Sequence, residues 1–468
     1  MDAAPTTSFD RTIACRLADF YAALTSSAVP LEVMNKARRV LADFLAALAV
    51  GYHEGALADL ANDYLLQMGG SPEATVLCLD TKLPAANAAL AMGIMAHAIE
   101  LDDGHRWGTS HPGVSIVPAV LAVAERSGSS FADLLTAIAV GYDAMLRPAR
   151  AINPGHLQRG FHSTGTCGSL GAAAACAKLL NLDNTQTAYA ISLGGLQSAG
   201  ICEMLHDHPG AKPLQPGKAA MAGVFSADLA SRGATAPRTL FEGRHGWLQA
   251  MCDGQYSLPA LLDDLGERWE ILLTYTKLYP TCRHCHATID LAREAREALH
   301  CALDEIEAIE VRTYQLGYIE VGLIALPASF QEAMFSLPFA VAIALDTGNV
   351  TLQDYTPQNL ADPRLRDVAS KVRIQVDEQM NAVYPEERGA YLKITLQDGR
   401  TFERSVPLAK GEPETPVSDA ELMVKHEAML RPYCSPDFVA GLWEIVVNSD
   451  IAATEYGDIV RHFSNFSR

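Results

Sequence analysis

The spacing of apolar and polar positions predicts that the first half of the chain is mainly helical. Within residues 8–66, apolar residues recur every three or four positions, which is the pattern of three successive helices. The stretches 163–182, 184–200 and 212–233 are also predicted helices, and most of their residues are small, which lets neighbouring backbones approach closely. A short strand is predicted at 75–79. These elements indicate a tightly packed helical domain.

The pattern changes to a mixture of strands and helices in the second half. Alternating apolar and polar residues predict strands at 306–315 and 371–378. A third segment, 390–407, has the dipeptide Asp398-Gly399 between two alternating runs, which is a strong signal for a hairpin. The second half therefore predicts a compact α+β domain.

The last 60 or so residues return to helical spacing, which suggests that they pack back onto the first half. The predicted fold class is therefore mainly α, with one large all-helical domain and a smaller α+β domain inserted into it. The predicted boundaries give residues 1–268 and 408–468 to the helical domain and residues 269–407 to the α+β domain.

Composition and charge narrow the possible partners. The 468 residues are 49% hydrophobic and 19% charged, which is typical of a globular chain. The formal net charge of −19 argues against nucleic acid and anionic membranes as partners, because both would repel the chain. The start of the chain lacks the pattern of a secretion signal, and the ten scattered cysteines favour reduced thiols. We therefore expect a cytoplasmic protein.

Charged residues concentrate between Glu100 and His111, a stretch that we call the charged segment. A predicted helix over 85–103 leads into it, and alanine-rich apolar sequence flanks both sides. Burying such charges costs free energy unless they pair with each other or with a ligand, so the segment is a candidate site. Solvated charges at a helix end are the alternative. Its charged and imidazole members are Glu100, Asp102, Asp103, His105, Arg106 and His111.

The residue types of the charged segment suit two kinds of chemistry. Carboxylates and imidazoles can act as acid and base in proton transfer at a carbon next to a carboxylate group. Two carboxylates and two imidazoles could instead ligate a metal ion.

Three further motifs carry candidate functional residues. His162 precedes hydroxyl residues and glycines at the start of a predicted helix, where an anion binds well; a packed histidine is the alternative. Lys212 lies in a Pro/Gly-rich approach to a helix and is a candidate anion clamp or base. Cys282-x-x-Cys285 with His284 resembles half a zinc site, but no second ligand pair follows at a suitable spacing. We therefore expect no metal.

Taken in order, these motifs resemble those of the MmgE/PrpD superfamily, which includes 2-methylcitrate dehydratases, cis-aconitate decarboxylases and iminodisuccinate epimerases. The resemblance covers nearly the whole chain and rests on the stretches HAIELDDGHRWGTSHPG, GFHSTGTCGSLGAAAA, AKPLQPGKAAMAG, KLYPTCRHCH and SFQEAMFSLPFAVAIAL. It implies a large helical domain with a smaller α+β lid, an active site in the cleft between them, and a homodimer. It also implies small di- or tricarboxylate substrates and neither metal nor organic cofactor.

The resemblance also assigns site residues. The family's acidic residue matches Glu100, Asp102 or Asp103, and the histidine of its His-Pro motif matches His111. A lid tyrosine of some members corresponds to Tyr314 or Tyr318. The other matched positions are His162, Lys212, Lys277 and Cys282, the last of which is a histidine in some members.

The charged segment departs from the better-known members at Gly104-His105-Arg106. Many of them carry a threonine hydroxyl there, and this chain has an imidazole and a guanidinium group instead. We expect this difference to affect the choice of substrate.

The resemblance and the residues together predict a cofactor-independent lyase that removes a proton next to a carboxylate, most like a 2-methylcitrate dehydratase. The alternatives are an epimerase or racemase of a dicarboxylate such as iminodisuccinate, a cis-aconitate-type decarboxylase, and an inactive family member that only binds carboxylates. The predicted catalytic residues are His111, His162, Lys212, Asp102, Asp103 and Glu100. The predicted substrate-binding residues are His105, Arg106, Lys277, Cys282, Arg283 and Tyr318.

Overall fold

The first part of the chain folds into packed helices in the computed structural model, which describes residues 12–205 and 207–466. Polar residues begin several of these helices: the Ser130 side chain accepts a hydrogen bond from a backbone N–H of the first turn, and Asp183 forms a capping box. Residues 8–11 of the first predicted helix lie outside the described residues. The helices are α1 (Ile13–Ala23), α2 (Leu31–Glu54), α3 (Ala56–Met68), α4 (Ala85–His97), α5 (Gly113–Ser127), α6 (Phe131–Ile152), α7 (Gly155–Gln158), α8 (Ser163–Leu179), α9 (Asn184–Leu196), α10 (Leu214–Ser231), α11 (Trp247–Cys252) and α12 (Leu258–Leu262).

Small residues bring three central helices into close contact. A Cβ atom at Gly217 of α10 would lie 2.6 Å from the backbone oxygen of Leu90 on α4. A Cβ atom at Gly223 would lie 2.2 Å from the Cβ atom of Ala172 on α8. Both distances are shorter than real carbon contacts, so only glycine fits at these two positions. The small-residue helices predicted from the sequence therefore form a close-packed centre, as expected.

Two local predictions require correction. The strand predicted at 75–79 is shorter: β1 (Ala74–Val76) pairs with β2 (Thr81–Leu83), and the residues between them form the turn of an antiparallel hairpin. The helix predicted over 85–103 ends at His97. Beyond it Glu100 adopts a left-handed backbone conformation, with φ of 52°, which a helix cannot contain. The charged segment is therefore a loop rather than a helix end.

The lid region contains the larger sheet and confirms the strands and the hairpin predicted there. Its strands are β3 (Ile306–Thr313), β4 (Val372–Val376), β5 (Ala390–Leu396) and β6 (Thr401–Val406). They lie in the order β4-β3-β5-β6, with β3 and β4 parallel and the other pairs antiparallel. The helices are α13 (His286–Leu299), α14 (Gln315–Val321), α15 (Phe330–Ala333), α16 (Leu337–Thr347), α17 (Pro357–Ala361), α18 (Pro363–Lys371) and α19 (Glu378–Ala382).

The tail forms helices that contact the first part of the chain. Asp43 of α2 accepts hydrogen bonds from Lys425 at 2.6 Å and from His426 at 2.9 Å. Apolar side chains of the tail belong to the hydrophobic core of the first part, whereas the lid has a second core under its sheet. The mainly α fold class is thus confirmed, while the exact domain boundaries stay predictions. The tail helices are α20 (Asp419–Leu430), α21 (Pro436–Trp443) and α22 (Tyr456–Phe463).

Among the described residues, no single helix combines the length and the apolar composition needed to cross a membrane. Only α2 and α3 taken together reach that length and composition, and these two helices meet at an angle of 88°.

Candidate active site

A cavity between the helical part and the lid collects most of the candidate residues. It contains about 490 Å³ of space not filled by atoms, part of which is open to solvent. The helical part contributes the loop before α5, the start of α8 and the approach to α10, and the lid contributes the turn before α13 and helix α14. The polar residues that line it are Thr109, Ser110, His111, His162, Cys202, Lys212, Tyr275, Cys282, Arg283, His284, Glu320 and Arg388.

A buried carboxylate behind the cavity binds two lysines. Glu100 is 3% exposed, and its two oxygens accept from Lys212 and from Lys277, the latter at 2.8 Å. Burial raises the pKa of the Glu100 carboxyl, but the two ammonium groups outweigh this effect and hold the pKa well below its usual range. Lys212 also lies 5.3 Å from the centre of the Phe335 ring. The carboxylate therefore fixes Lys212 at the wall of the cavity as a charged group.

A second buried carboxylate orients His111. Asp102 lies 3.0 Å from Nδ1 of His97 and 3.2 Å from Nδ1 of His111. The same Nδ1 atom of His111 lies 2.8 Å from the backbone oxygen of Asp103, an arrangement that places the ring hydrogen on Nδ1. The other ring nitrogen, Nε2, is then unprotonated and available to a ligand in the cavity.

Of the three histidines that line the cavity, His111 and His162 have a lowered pKa and are both neutral at pH 7. Burial lowers the pKa of His111 to about 4, with Lys277 and Lys212 acting in the same direction and Asp102 opposing them. Burial and the nearby Lys212 hold the pKa of His162 well below its usual range. His162 directly precedes α8, and its Nδ1 lies 2.6 Å from Oε1 of Gln215. Both imidazoles can therefore accept a proton.

The lid side of the cavity carries a second group of acid–base residues. Glu320 of α14 lies 3.1 Å from Nε2 of His284 and 3.5 Å from Sγ of Cys282. His284 is also hydrogen-bonded through Nδ1 to the hydroxyl of Tyr314. Burial raises the pKa of Glu320, but His284 and Lys212 together lower it to about 2. The lid therefore presents an ionised carboxylate to the cavity beside a neutral thiol.

Four of the predicted residues lie away from the cavity, and three of them, Asp103, His105 and Arg106, belong to the charged segment. Asp103 accepts from the hydroxyl of Tyr142 at 2.8 Å and from the backbone N–H of Gly113 at 3.0 Å. Burial raises the pKa of its carboxyl to about 7. His105 is fully buried, with Nε2 3.2 Å from Glu270. These contacts hold the loop in place and the structure puts His105 outside the cavity lining, so its expected contact with substrate stays a prediction.

Arg106 and Tyr318 are the other two predicted residues that lie outside the lining. Arg106 donates to Glu412 at 3.1 Å and to Glu414 at 2.7 Å, and it lies over the ring of Trp107. These partners occupy its guanidinium group, which was expected to hold substrate. Tyr318 is also absent from the residues that line the cavity. Of the two tyrosines considered, Tyr314 is the one that contacts a lining residue.

The other predicted residues are at the cavity or directly behind it. Glu100, Asp102 and Lys277 form the layer behind the lining, where Lys277 is fully buried and pairs with Glu100 rather than facing a ligand. Arg283 lines the cavity but donates to Glu412 at 3.0 Å. The predicted lining residues that the structure brings together are His111, His162, Lys212, Cys282 and Arg283.

Sequence reasoning missed several lining residues. Glu320 lies in a short amphipathic helix and Arg388 in a loop before β5, and neither has a motif around it. Tyr275 meets the charged segment through a backbone hydrogen bond to Gly104 at 2.8 Å. His284 was considered only as a metal ligand. No local signal marks these residues, because the fold brings them to the cavity from distant parts of the chain.

Among the described residues, two groups of side chains could hold a metal ion. One is His97, Asp102 and His111, and the other is Cys282, His284 and Glu320; in each group the ligand atoms lie within 4.8 Å of one another. Both groups are also explained by their own hydrogen bonds, described above. Cys285 of the predicted half zinc site belongs instead to the hydrophobic core of the lid.

The fold and the cavity define a mainly helical enzyme whose acid–base residues face a smaller α+β lid. Family descriptions agree: the MmgE/PrpD N-terminal domain matches residues 15–258, and the MmgE/PrpD C-terminal domain matches residues 279–450. The chain belongs to the MmgE/PrpD family and is a lyase or an epimerase of this type.

Several characterised proteins are similar to nearly the whole chain. The cis-aconitate decarboxylase-like protein oryM of Aspergillus oryzae is 26% identical over 440 residues, 88% of this chain and 89% of that protein. The cis-aconitate decarboxylase of Homo sapiens is 27% identical over 438 residues, 89% of this chain and 87% of that protein. The enzyme of the same name from Mus musculus is 26% identical over 389 residues, 78% and 76% of the two chains.

Proposed function

We propose that the chain is a decarboxylase that acts on cis-aconitate or a closely similar tricarboxylate. The observation that carries the proposal is the convergence of the Lys212 ammonium group with two neutral imidazoles, His111 and His162, on one cavity. The names of the relatives support this activity, which was an alternative in the sequence analysis, over the 2-methylcitrate dehydratase that stood first there.

The reaction places defined demands on the site. One carbon–carbon bond to a carboxylate breaks and CO2 leaves, while the electron pair stays on the remaining skeleton and spreads into the neighbouring double bond and its carboxylate. A proton then adds to carbon. The balance is one tricarboxylate trianion plus one proton giving one unsaturated dicarboxylate dianion plus CO2. The site must therefore stabilise the delocalised negative charge and deliver one proton.

Lys212 meets the first demand. Its ammonium group lies at the cavity wall, and Glu100 keeps it in place without consuming all of its three donors. Charge-assisted hydrogen bonds from an ammonium group to a developing carboxylate-centred anion are strong in a site that excludes water. Glu100 also binds Lys277, so two cations share one carboxylate here.

His111 meets the second demand. Burial lowers its pKa to about 4, so Nε2 carries no proton at pH 7. A bound polycarboxylate adds negative charge beside the ring, and nearby negative charge favours the imidazolium form. Substrate binding therefore draws a proton onto His111, and this proton is the one transferred to carbon. Asp102 stabilises the imidazolium from its Nδ1 side. His162 lies at the same wall and is the second candidate donor.

The test follows substrates by NMR in D2O. The protein is incubated separately with cis-aconitate, 2-methylcitrate and iminodisuccinate. We expect loss of CO2 from cis-aconitate and one deuterium on carbon in each product molecule. The proposal would be contradicted if the protein left cis-aconitate unchanged but dehydrated 2-methylcitrate or exchanged the carbon-bound hydrogen of iminodisuccinate. Such a result would instead support one of the alternative activities.

Two variants test the assigned donors. We expect His111→Ala and His162→Ala each to lower kcat by about 100-fold or more, the usual contribution of a positioned acid or base. His245→Ala, at an exposed histidine, is the matched control and should retain full activity. A loss of less than about tenfold for either cavity histidine would remove that residue from the mechanism.

A further inference from the structure

Arg388 is a buried cation at the cavity that the mechanism above does not use. It lies in the loop between α19 and β5, is 6% exposed, and lines the same cavity as His111 and Lys212. It therefore comes from the lid, whereas Lys212 comes from the helical part.

The partners of Arg388 are all neutral. Its Nη2 atom donates to the backbone oxygen of Arg106, with longer contacts of 3.4 Å to the hydroxyls of Thr109 and Tyr384. Its guanidinium carbon lies 5.3 Å from the centre of the Tyr384 ring. Nε is buried and has no hydrogen-bond partner among the described residues. No carboxylate of the described chain lies within 4 Å of its guanidinium nitrogens.

The other cations around the cavity already have carboxylate partners. Lys212 and Lys277 share Glu100, and Arg283 pairs with Glu412. A buried charge without a partner costs free energy, and the usual compensation is an opposite charge with matching hydrogen bonds. Glu412 attracts Arg388 from a distance, but it already binds Arg106 and Arg283. Within the described part of the chain Arg388 therefore has no direct carboxylate partner, and a ligand is the remaining source of one.

We propose that Arg388 binds a carboxylate of the substrate and selects substrates that carry one at the lid side of the cavity. A guanidinium group offers parallel N–H donors that match both oxygens of a carboxylate, which gives orientation as well as affinity. The hydrogen bond to the backbone of Arg106 ties this group to the charged segment, which also carries His111. Arg388 thus sets the position of the substrate relative to the proton donor. The choice of a polycarboxylate ligand rests on the proposed function.

The experiment measures binding rather than turnover. Isothermal titration calorimetry compares a saturated tricarboxylate, propane-1,2,3-tricarboxylate, with two dicarboxylates that each lack one of its carboxyl groups, glutarate and 2-methylsuccinate. We expect the wild-type protein to bind the tricarboxylate most tightly. Arg388→Gln should weaken its binding by about tenfold or more, the size of one charge-assisted hydrogen bond, and should abolish its advantage over one of the two dicarboxylates.

A second arginine of the lid provides the matched control. Arg312 also lies over a tyrosine ring, that of Tyr391 at 4.5 Å, but it pairs with Glu310 and does not line this cavity. Arg312→Gln should bind all three ligands as the wild type does. If Arg388→Gln does not fold, as judged by circular dichroism, Arg388→Lys replaces it. This variant keeps the charge but lacks the paired donors, so we expect binding several-fold weaker than that of the wild type.

The possible results separate the two proposals. Unchanged tricarboxylate binding in Arg388→Gln, or in Arg388→Lys where that variant is used, would overturn the role of Arg388, as would a wild-type protein that binds none of the three ligands. Loss of discrimination in the variant supports it even if cis-aconitate is not decarboxylated. In that case the proposed function fails in the NMR test while the carboxylate site at Arg388 stands.

Discussion

Glu100 offers a sharp test of the electrostatics of the site, because in the described part of the chain its carboxylate holds two buried lysines. Glu100→Gln keeps the shape of the side chain and removes its charge. Lys277 is fully buried and Lys212 is only 4% exposed at the cavity wall, so both ammonium groups are largely removed from bulk water. Removing one partner of a buried ion pair typically costs about 3–5 kcal/mol of folding free energy, and we expect a loss of this size at pH 7.

The unfolding free energy of Glu100→Gln should change with pH in the opposite direction to that of the wild type. In the wild type, burial lowers the pKa of Lys277, but Glu100 outweighs it and raises the pKa above the unfolded value. The Lys277–Glu100 pair therefore gives its complete stabilisation below the pKa that Lys277 has in the unfolded chain. This stabilisation is lost as pH rises through the pKa that Lys277 has in the folded chain. In Glu100→Gln the lowering by burial is opposed only by smaller effects such as that of Asp102, so the pKa of Lys277 falls and the unfolded state binds more protons. The variant should then gain up to about 1.4 kcal/mol per pH unit from Lys277 as pH rises from 7 to 10.

The assay is urea unfolding of both proteins at several pH values between 7 and 10. Glu294→Gln is the matched control, since Glu294 forms an exposed ion pair with Arg404, and it should cost less than about 1 kcal/mol. A loss below about 1 kcal/mol in Glu100→Gln, with the same pH dependence as the wild type, would refute the reasoning, because the two lysines would then not depend on this carboxylate.

Four further outcomes are expected. Asp102→Asn should lower kcat at least tenfold while the protein keeps its fold, because His111 loses its imidazolium partner; circular dichroism and kinetics test this. The unfolding free energy should fall as pH drops from 6.5 to 4, and His111 should contribute about 3 kcal/mol of this fall. The reason is that between these pH values His111 is protonated in the unfolded chain but not in the folded one. Denaturation at pH 4.5 and 7 measures the difference. Exhaustive chelation should leave activity unchanged, and a loss restored by added zinc would point to one of the two metal-compatible groups. Sedimentation should show a homodimer, as the family resemblance implies.

Local sequence patterns predicted the elements of the fold better than the details of the site. Spacing located the helices and the hairpin of the lid because a buried helix face and a buried strand face have different periods. The helix over 85–103 was extended too far, since nothing local shows that Glu100 turns into a left-handed conformation to reach two lysines more than 100 residues away.

The same limit explains why two charged residues that were expected to bind substrate lie outside the cavity lining. His105 and Arg106 suggested substrate binding because their partners, Glu270 and Glu412, are remote in sequence and have no motif around them. His111 and His162 were placed correctly at the cavity because the family resemblance carries them in recognisable motifs. Arg388 lacks such a motif, and only its burial among neutral groups in the folded chain distinguishes it from other arginines of the lid.

The glycine contacts of the central helices have a consequence for protein engineering. Helix α10 touches α4 and α8 where Gly217 and Gly223 leave no room for a side chain. Larger residues at these two glycines would separate the helices that carry the cavity wall. If a library of variants aimed at new substrates included these positions, we expect most of its members to misfold. Diversity is better confined to the lid, at positions such as Cys282 and Glu320, where side chains reach the cavity without supporting the packed centre.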